Sequence, residues 1–177
     1  MTDHLSQNHR LRFLIGCKFD MNSAMEYLIT SERHRYEIGC ETLTGEEVYA
    51  YAHRAHAIVG LDKDKRPVVY SRCTQWNLGS IPLEQQNRNF MFIADYVFAR
   101  MAPNIDKYNW LFNLEGFGYS HMYLDAMKGF VNTIQSVYVN TNHRLVSYQP
   151  NFATSLVWKT ISPFLSANTK NKVKFVD

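Results

Sequence analysis

The sequence predicts an α/β fold: a helical amino-terminal segment followed by a mixed, mostly parallel sheet of about five strands flanked by helices. Three observations carry this. Helical spacing dominates the first 55 residues, short apolar runs then alternate with amphipathic stretches of helical length, and two of those runs lie close enough to pair as a hairpin. The same change of period divides the chain into residues 1–55, helical, and residues 56–177, one compact α/β unit.

Asp20 is a good N-cap, and Met21, Ala24, Met25, Leu28, Ile29 and Tyr36 follow it at helical spacing, with Gly39 as the C-terminal stop. A shorter helix is expected after Thr44, from Glu46 to Ala52. Ile58–Leu61 and Pro67–Tyr70 flank the polar Asp62–Arg66 and read as a hairpin. Leu83 to Met101 is the clearest helix, with Phe90, Ile93, Ala94, Val97, Phe98 and Met101 on one stripe, and Pro103 ends it. Trp110–Leu114 suits a central strand. A helix from about His121 presents Tyr123, Met127, Phe130, Ile134 and Val137. A strand over Leu145–Tyr148, a short helix over Phe152–Thr160 and a strand over Val173–Val176 complete the pattern.

With 177 residues the chain fits one domain. Its 19 Lys and Arg against 16 Asp and Glu give a net charge of +3, mildly basic and without the clustered charge of a nucleic-acid binder. No apolar run approaches the ~18 residues that cross a bilayer. Met1–Arg10 is polar and carries no secretory h-region. Cys17, Cys40 and Cys73 are an odd number with no C-x-x-C spacing, read as reduced thiols in a cytoplasmic protein. The 25 aromatic residues, 11 Tyr, 11 Phe and 3 Trp, supply apolar area that can line a cavity, cover an interface or fill a heavy core.

Motifs for chemistry are missing. His53 and His56 stand three apart without a third ligand, so no metal site is assigned and they read as boundary histidines. There is no G-x-S-x-G elbow, P-loop or G-x-G-x-x-G. Asp62–Asp64 lacks the rest of a calcium loop and reads as a solvated turn. Glu115–Gly118 reads as a sharp turn at the carboxyl end of the central strand, the edge where open α/β sheets bind ligands. No enzyme and no cofactor are expected.

Several segments in order resemble the CRAL-TRIO lipid-binding family, the fold of phosphatidylinositol, tocopherol and retinal carriers. Leu11-Arg12-Phe13-Leu14 with Lys18-Phe19-Asp20 resembles its amino-terminal helical segment, and Asp64-Lys65-Arg66-Pro67-Val68-Val69-Tyr70 its hairpin strand. Leu111–Phe117 with Ser120-His121 resembles its central strand end. Phe152, Trp158-Lys159, Pro163-Phe164-Leu165, Thr169, Lys172-Val173 and Phe175-Val176 match its carboxyl-terminal signature. The resemblance runs from about Leu11 to Val176 and makes residues 56–177 the lipid-binding domain.

The resemblance implies a non-enzymatic carrier holding one lipid or other hydrophobic small molecule in an internal pocket with a gate helix. Phe90, Met91, Ala94, Tyr108, Phe112, Leu114, Phe117, Phe130, Ile134 and Tyr138 would line that pocket. Phe152 and Leu156 would line it from the gate, about Phe152 to Ile161. Trp158, Lys159, Lys170 and Lys172 would touch an anionic membrane transiently. Basic residues of phosphatidylinositol carriers are replaced at Ile15-Gly16-Cys17 and Ser162, and an acidic one near Lys128-Gly129-Phe130, so conventional phosphatidylinositol transfer is not expected. Asn113 replaces the usual Asp, Val139-Asn140-Thr141-Asn142 replaces P-E-R-[LM], and Asp177 comes before the family's usual extension. These departures favour the alternative the family also implies, a protein-interaction module of the small-GTPase-regulator type with a residual pocket.

Overall fold

A computed structural model describes residues 7–46, 55–76 and 78–177. Helices α1 (Gln7–Gly16) and α2 (Met21–Ile38) come first. The side chain of Asp20 accepts from Ser23 N at 2.7 Å and caps α2. Gly39 ends it at φ +71°, a left-handed turn that an L side chain resists. The inward face of α2 is set by Ala24, Leu28, Ser31 and Ile38, whereas Met21, Met25, Ile29 and Tyr36 are exposed. The expected apolar stripe is thus rotated. Small Ser31 sits against the body of the protein and donates to Val137 O, a contact that a bulkier side chain would hold apart. The helix expected over Glu46–Ala52 falls from residue 47 onward outside the described residues, as does His53.

The sheet contains β1 (His56–Leu61), β2 (Pro67–Arg72), β3 (Tyr108–Asn113), β4 (Asn142–Tyr148) and β5 (Val173–Val176), in that order across it. β1 and β2 are antiparallel and the remaining pairs are parallel. The crossovers run through α3 (Leu83–Phe98), then α4 (Leu124–Ser136), then α5 (Phe152–Ile161) with α6 (Ala167–Lys172). Because all three advance in one direction, right-handed crossovers lay these helices over the same sheet face. Val69, Tyr108, Trp110 and Leu145 on that face pack with Phe90 and Val97 of α3. α3 ends at Phe98, before the expected Met101, and α4 starts at Leu124 after a short helical turn at Tyr119–His121.

The amino-terminal helices are tied to this body by polar contacts. Arg35 makes a two-pronged ion pair with Asp95 of α3, at 3.1 and 2.7 Å. The Tyr138 hydroxyl lies 2.8 Å from Asp95 Oδ1 and accepts from Arg35 Nη1 at 3.2 Å. Arg12 lies buried over the Phe98 ring, 4.6 Å from its centre.

The hairpin turn is organised by Asp62. Its carboxylate accepts from the backbone of Asp64 and Arg66, from Arg66 Nη1 and from Asn109 Nδ2. Burial opposes its charge, but these donors outweigh it and hold the pKa at about 2. A folded-state pKa below the unfolded value makes its stabilisation present above about pH 4 and lost as pH falls toward about 2. Asp62→Asn is therefore expected to lower stability at pH 7 and to cost progressively less below pH 4. Urea unfolding at several pH values checks this; an equal loss at every pH would assign the effect to shape alone.

Candidate functional site

An apolar cavity of about 150 Å³ lies between the helix-covered sheet face and helices α4 and α5. Its floor is Phe112, Leu145, Ser147, Val173 and Phe175, the inward residues that strand alternation supplies from β3, β4 and β5. Met127, Phe130, Val131 and Ile134 of α4 form one wall, and Thr154, Val157, Trp158 and Ile161 of α5 the other. Cys73, Trp76, Leu114 and Phe117 close one end, while Leu165 and Thr169 close the other. No charged residue lines it among the described residues.

Helix α5 is held differently at its two ends. At its start Asn151 Oδ1 accepts from Thr154 N at 3.2 Å, and Thr154 Oγ1 accepts from Asn151 N at 2.7 Å, a reciprocal cap. Asn151 Nδ2 also donates to Phe117 O at 2.7 Å, pinning this end to the turn that follows β3. That turn is built by Gly116 at φ +75° and by Asn113, whose Oδ1 accepts from Glu115 N while its Nδ2 donates to Tyr70 OH. Toward its other end α5 meets the sheet edge through Trp158, whose ring stands edge-on to Phe175 at 5.4 Å.

Of the residues expected to line a pocket, Phe112, Leu114, Phe117, Phe130 and Ile134 do line this cavity. Phe90, Met91, Ala94, Tyr108 and Tyr138 instead fill the core around α3. Phe152 is exposed at the start of α5, and Leu156 is half-buried outside the lining. Trp158, expected at a membrane, lines the cavity. Lys159 and Lys170 are exposed, but Lys172 is half-buried and donates to Asn140 Oδ1 at 3.3 Å. Burial, then Lys107, lowers its pKa. The lining residues Trp76, Ser147, Val157 and Phe175 were not expected. Ser147 and Phe175 are legible in the alternation that starts from Leu145 and Val173, whereas Trp76 stands in an irregular segment with no period.

A second, polar cleft of about 920 Å³ lies between the α1–α2 turn and the far side of α4. Lys18, Asn132, Gln135, Asn140, Asn142 and Lys172 are among its lining, with no carboxylate, and Ile134, Leu165 and Thr169 border both spaces.

Beside the cavity His56 begins β1, with Trp76, Phe90 and Trp110 edge-on around its ring at 5.2 to 6.3 Å. Its Nδ1 is 2.6 Å from Ser71 Oγ, which accepts from Trp110 Nε1 at 2.6 Å. Among the described residues no three His, Cys, Asp or Glu side chains are grouped to hold a metal.

A family model for the CRAL/TRIO domain matches residues 52–177. The chain belongs to this family. A CRAL-TRIO domain-containing protein of Schizosaccharomyces pombe is 25% identical over 167 residues, spanning 93% of this chain and 16% of that protein. Protein real-time of Drosophila melanogaster is 25% identical over 182 residues, spanning 93% and 28%. A CRAL-TRIO domain-containing protein of Saccharomyces cerevisiae is 24% identical over 199 residues, spanning 97% and 63%. The crystal structure of Sfh5 superposes with a TM-score of 0.77 over 96% of this chain and 63% of that one, at 12% identity, which shows the shared fold. This CRAL/TRIO chain thus spans less than two thirds of each. No described helix is long and apolar enough to cross a membrane.

Burial lowers the His56 pKa to about 4, below the ordinary value of 6.5. The unfolded chain therefore takes up this proton first. Stability is full above about pH 6.5 and falls as pH drops toward 4. Replacing His56 by Phe is expected to flatten the stability–pH slope in that window. Denaturant midpoints of both proteins at pH 7 and pH 5 test it, and parallel slopes would remove His56 from the account.

Proposed function

We propose that this CRAL/TRIO domain is a non-enzymatic carrier that holds one hydrophobic molecule in the cavity beneath α5. The observation that carries the reading is an uncharged, apolar cavity closed on one side by a short helix. Transfer of an apolar ligand from water into such a lining is favourable by ~25 cal/mol per Å² of surface removed. At about 150 Å³ the cavity has the size of one known to admit a benzene-sized group. Outward movement of α5 enlarges the space for a longer ligand. The cap and the Asn151–Phe117 bond favour a swing about the start of α5, with separation of Trp158 from Phe175 as the opening step.

Opening exposes apolar surface, so a membrane is the natural place for it. Phe152 and Phe164 are exposed at the two ends of this segment, and Lys159 and Lys170 are exposed as well. The half-buried position of Lys172 gives that residue the smallest part in headgroup contact. Replacing Lys159 and Lys170 by Glu is expected to weaken flotation with anionic vesicles while leaving the fold intact, as circular dichroism would report. Equal flotation of the variant would take these lysines out of the mechanism.

The cavity is smaller than the ~300–1,000 Å³ usual for small-molecule sites. That favours a second reading, a protein-interaction module with a residual pocket. Native mass spectrometry of the purified protein, followed by extraction and by incubation with mixed-lipid vesicles, separates the two. The carrier reading expects about one hydrophobic molecule per chain; a protein that stays empty after both treatments supports the interaction module. Conventional phosphatidylinositol transfer is not expected, since among the described residues the cleft that borders the cavity offers only Lys18 and Lys172 as cations.

A further inference from the structure

We propose that the sheet face turned away from the helices is a docking surface for an acidic amphipathic helix of a partner protein. It lies on the side of the sheet opposite the cavity and serves whether or not the cavity carries a ligand.

Strand alternation assigns this face. Val69, Trp110 and Leu145 point into the helix-covered core, so Tyr70, Leu111 and Val146 point away from it. Register sets these three side by side on β2, β3 and β4. The crossover helices lie over the other face, and α2 packs on α3 and α4. Among the described residues Tyr70, Leu111 and Val146 join none of the buried apolar clusters and stay half-buried in the middle of the sheet. Sheets of parallel strands are ordinarily covered on both faces. β2 to β5 are parallel, and among the described residues only one of their faces is covered.

Charge names the occupant. Arg72 at the end of β2, Arg144 near the start of β4 and Lys174 on the edge strand surround the apolar centre. All three are exposed and make no ion pair among the described residues. No Asp or Glu stands on this face within the strands, and Asp62 beside Asn109 is committed to Arg66. An apolar centre inside a charged rim is the layout of a protein interface, and a rim of one sign selects a partner of the other. A second copy of the chain would bring cations against cations and no carboxylate to meet them. An anionic bilayer fits less well, because Leu111 and Val146 lie low between their strand neighbours and do not project into an acyl layer. Four strands span about 14 Å, room for one helix. Such a helix is about 10 Å across and would lay its apolar stripe on Tyr70, Leu111 and Val146.

The test titrates the full chain with labelled synthetic helical peptides of ~18 residues, about five turns, read by fluorescence anisotropy. One carries a leucine stripe flanked by glutamates, a second the same stripe flanked by lysines, and a third the acidic composition scrambled to remove the stripe. The expected result is affinity about tenfold higher for the acidic amphipathic peptide than for either control. Amide chemical shifts should move at Tyr70, Leu111 and Val146. Combined Arg72→Glu, Arg144→Glu and Lys174→Glu should abolish the preference, whereas combined Lys159→Glu and Lys170→Glu should keep it. Lys174→Glu alone, at an exposed edge position, should weaken the acidic peptide by about threefold. Thermal unfolding of each variant controls for folding. Equal binding of acidic and basic peptides, no binding of the acidic one, or unchanged affinity in the folded variants overturns the proposal. So does a dimer in sedimentation, or flotation with anionic vesicles, that the three rim substitutions abolish. None of these outcomes bears on whether the cavity loads a ligand.

Discussion

The fold turns on one buried indole. Trp110 stands in the middle of the central strand, almost wholly inaccessible, with its N–H satisfied by Ser71 of the neighbouring strand. Its ring contacts Tyr108, Phe112 and Phe130, and with Phe90 it closes the ring around His56. Five elements therefore converge on one side chain: β1, β2, β3, α3 and α4. A Trp in such a place is tolerable only because Ser71 takes the polar atom. The cavity begins where this aromatic packing stops, at Phe112 and Phe130, which serve the core on one side and the lining on the other.

Helix α4 is likewise a shared wall. One side of it bounds the apolar cavity and the other the polar cleft, and Ile134 touches both. Apolar and polar spaces are thus separated by little more than one side-chain layer, completed by Leu165 and Thr169. The Arg35–Asp95–Tyr138 cluster holds α2 on α3 and keeps the amino-terminal helices at the margin of that cleft. Placing the ion pair beside a tyrosine hydroxyl satisfies the carboxylate from two directions, which an isolated surface pair would not achieve.

Much of this was legible from residue order. The hairpin, the central strand, the terminal strand and the caps at Asp20 and Gly39 all follow from local chemistry that tertiary contacts do not override. The inward face of α2 did not, because Met21, Met25 and Ile29 are as apolar as the residues that pack, while the decisive contact is made by a serine. Lining and core are indistinguishable by period alone: Phe90 and Phe130 sit on equally apolar stripes, and only Phe130 borders the cavity. Both are driven inward by the same transfer of apolar surface from water. Trp76 carried no signal, since its segment has no regular repeat.

The strands stand across the sheet in the order in which they occur along the chain. No strand has to be inserted between two already paired, so each crossover adds a strand to a free edge of the sheet. The carboxyl-terminal edge strand brings Phe175 to Trp158. Dissociation of that edge strand would open the cavity and withdraw Val173 from the aromatic cluster, whereas Trp110 itself lies two strands away and stays packed against Phe90 of α3. Partial unfolding at this edge and the opening proposed for the cavity thus share a direction.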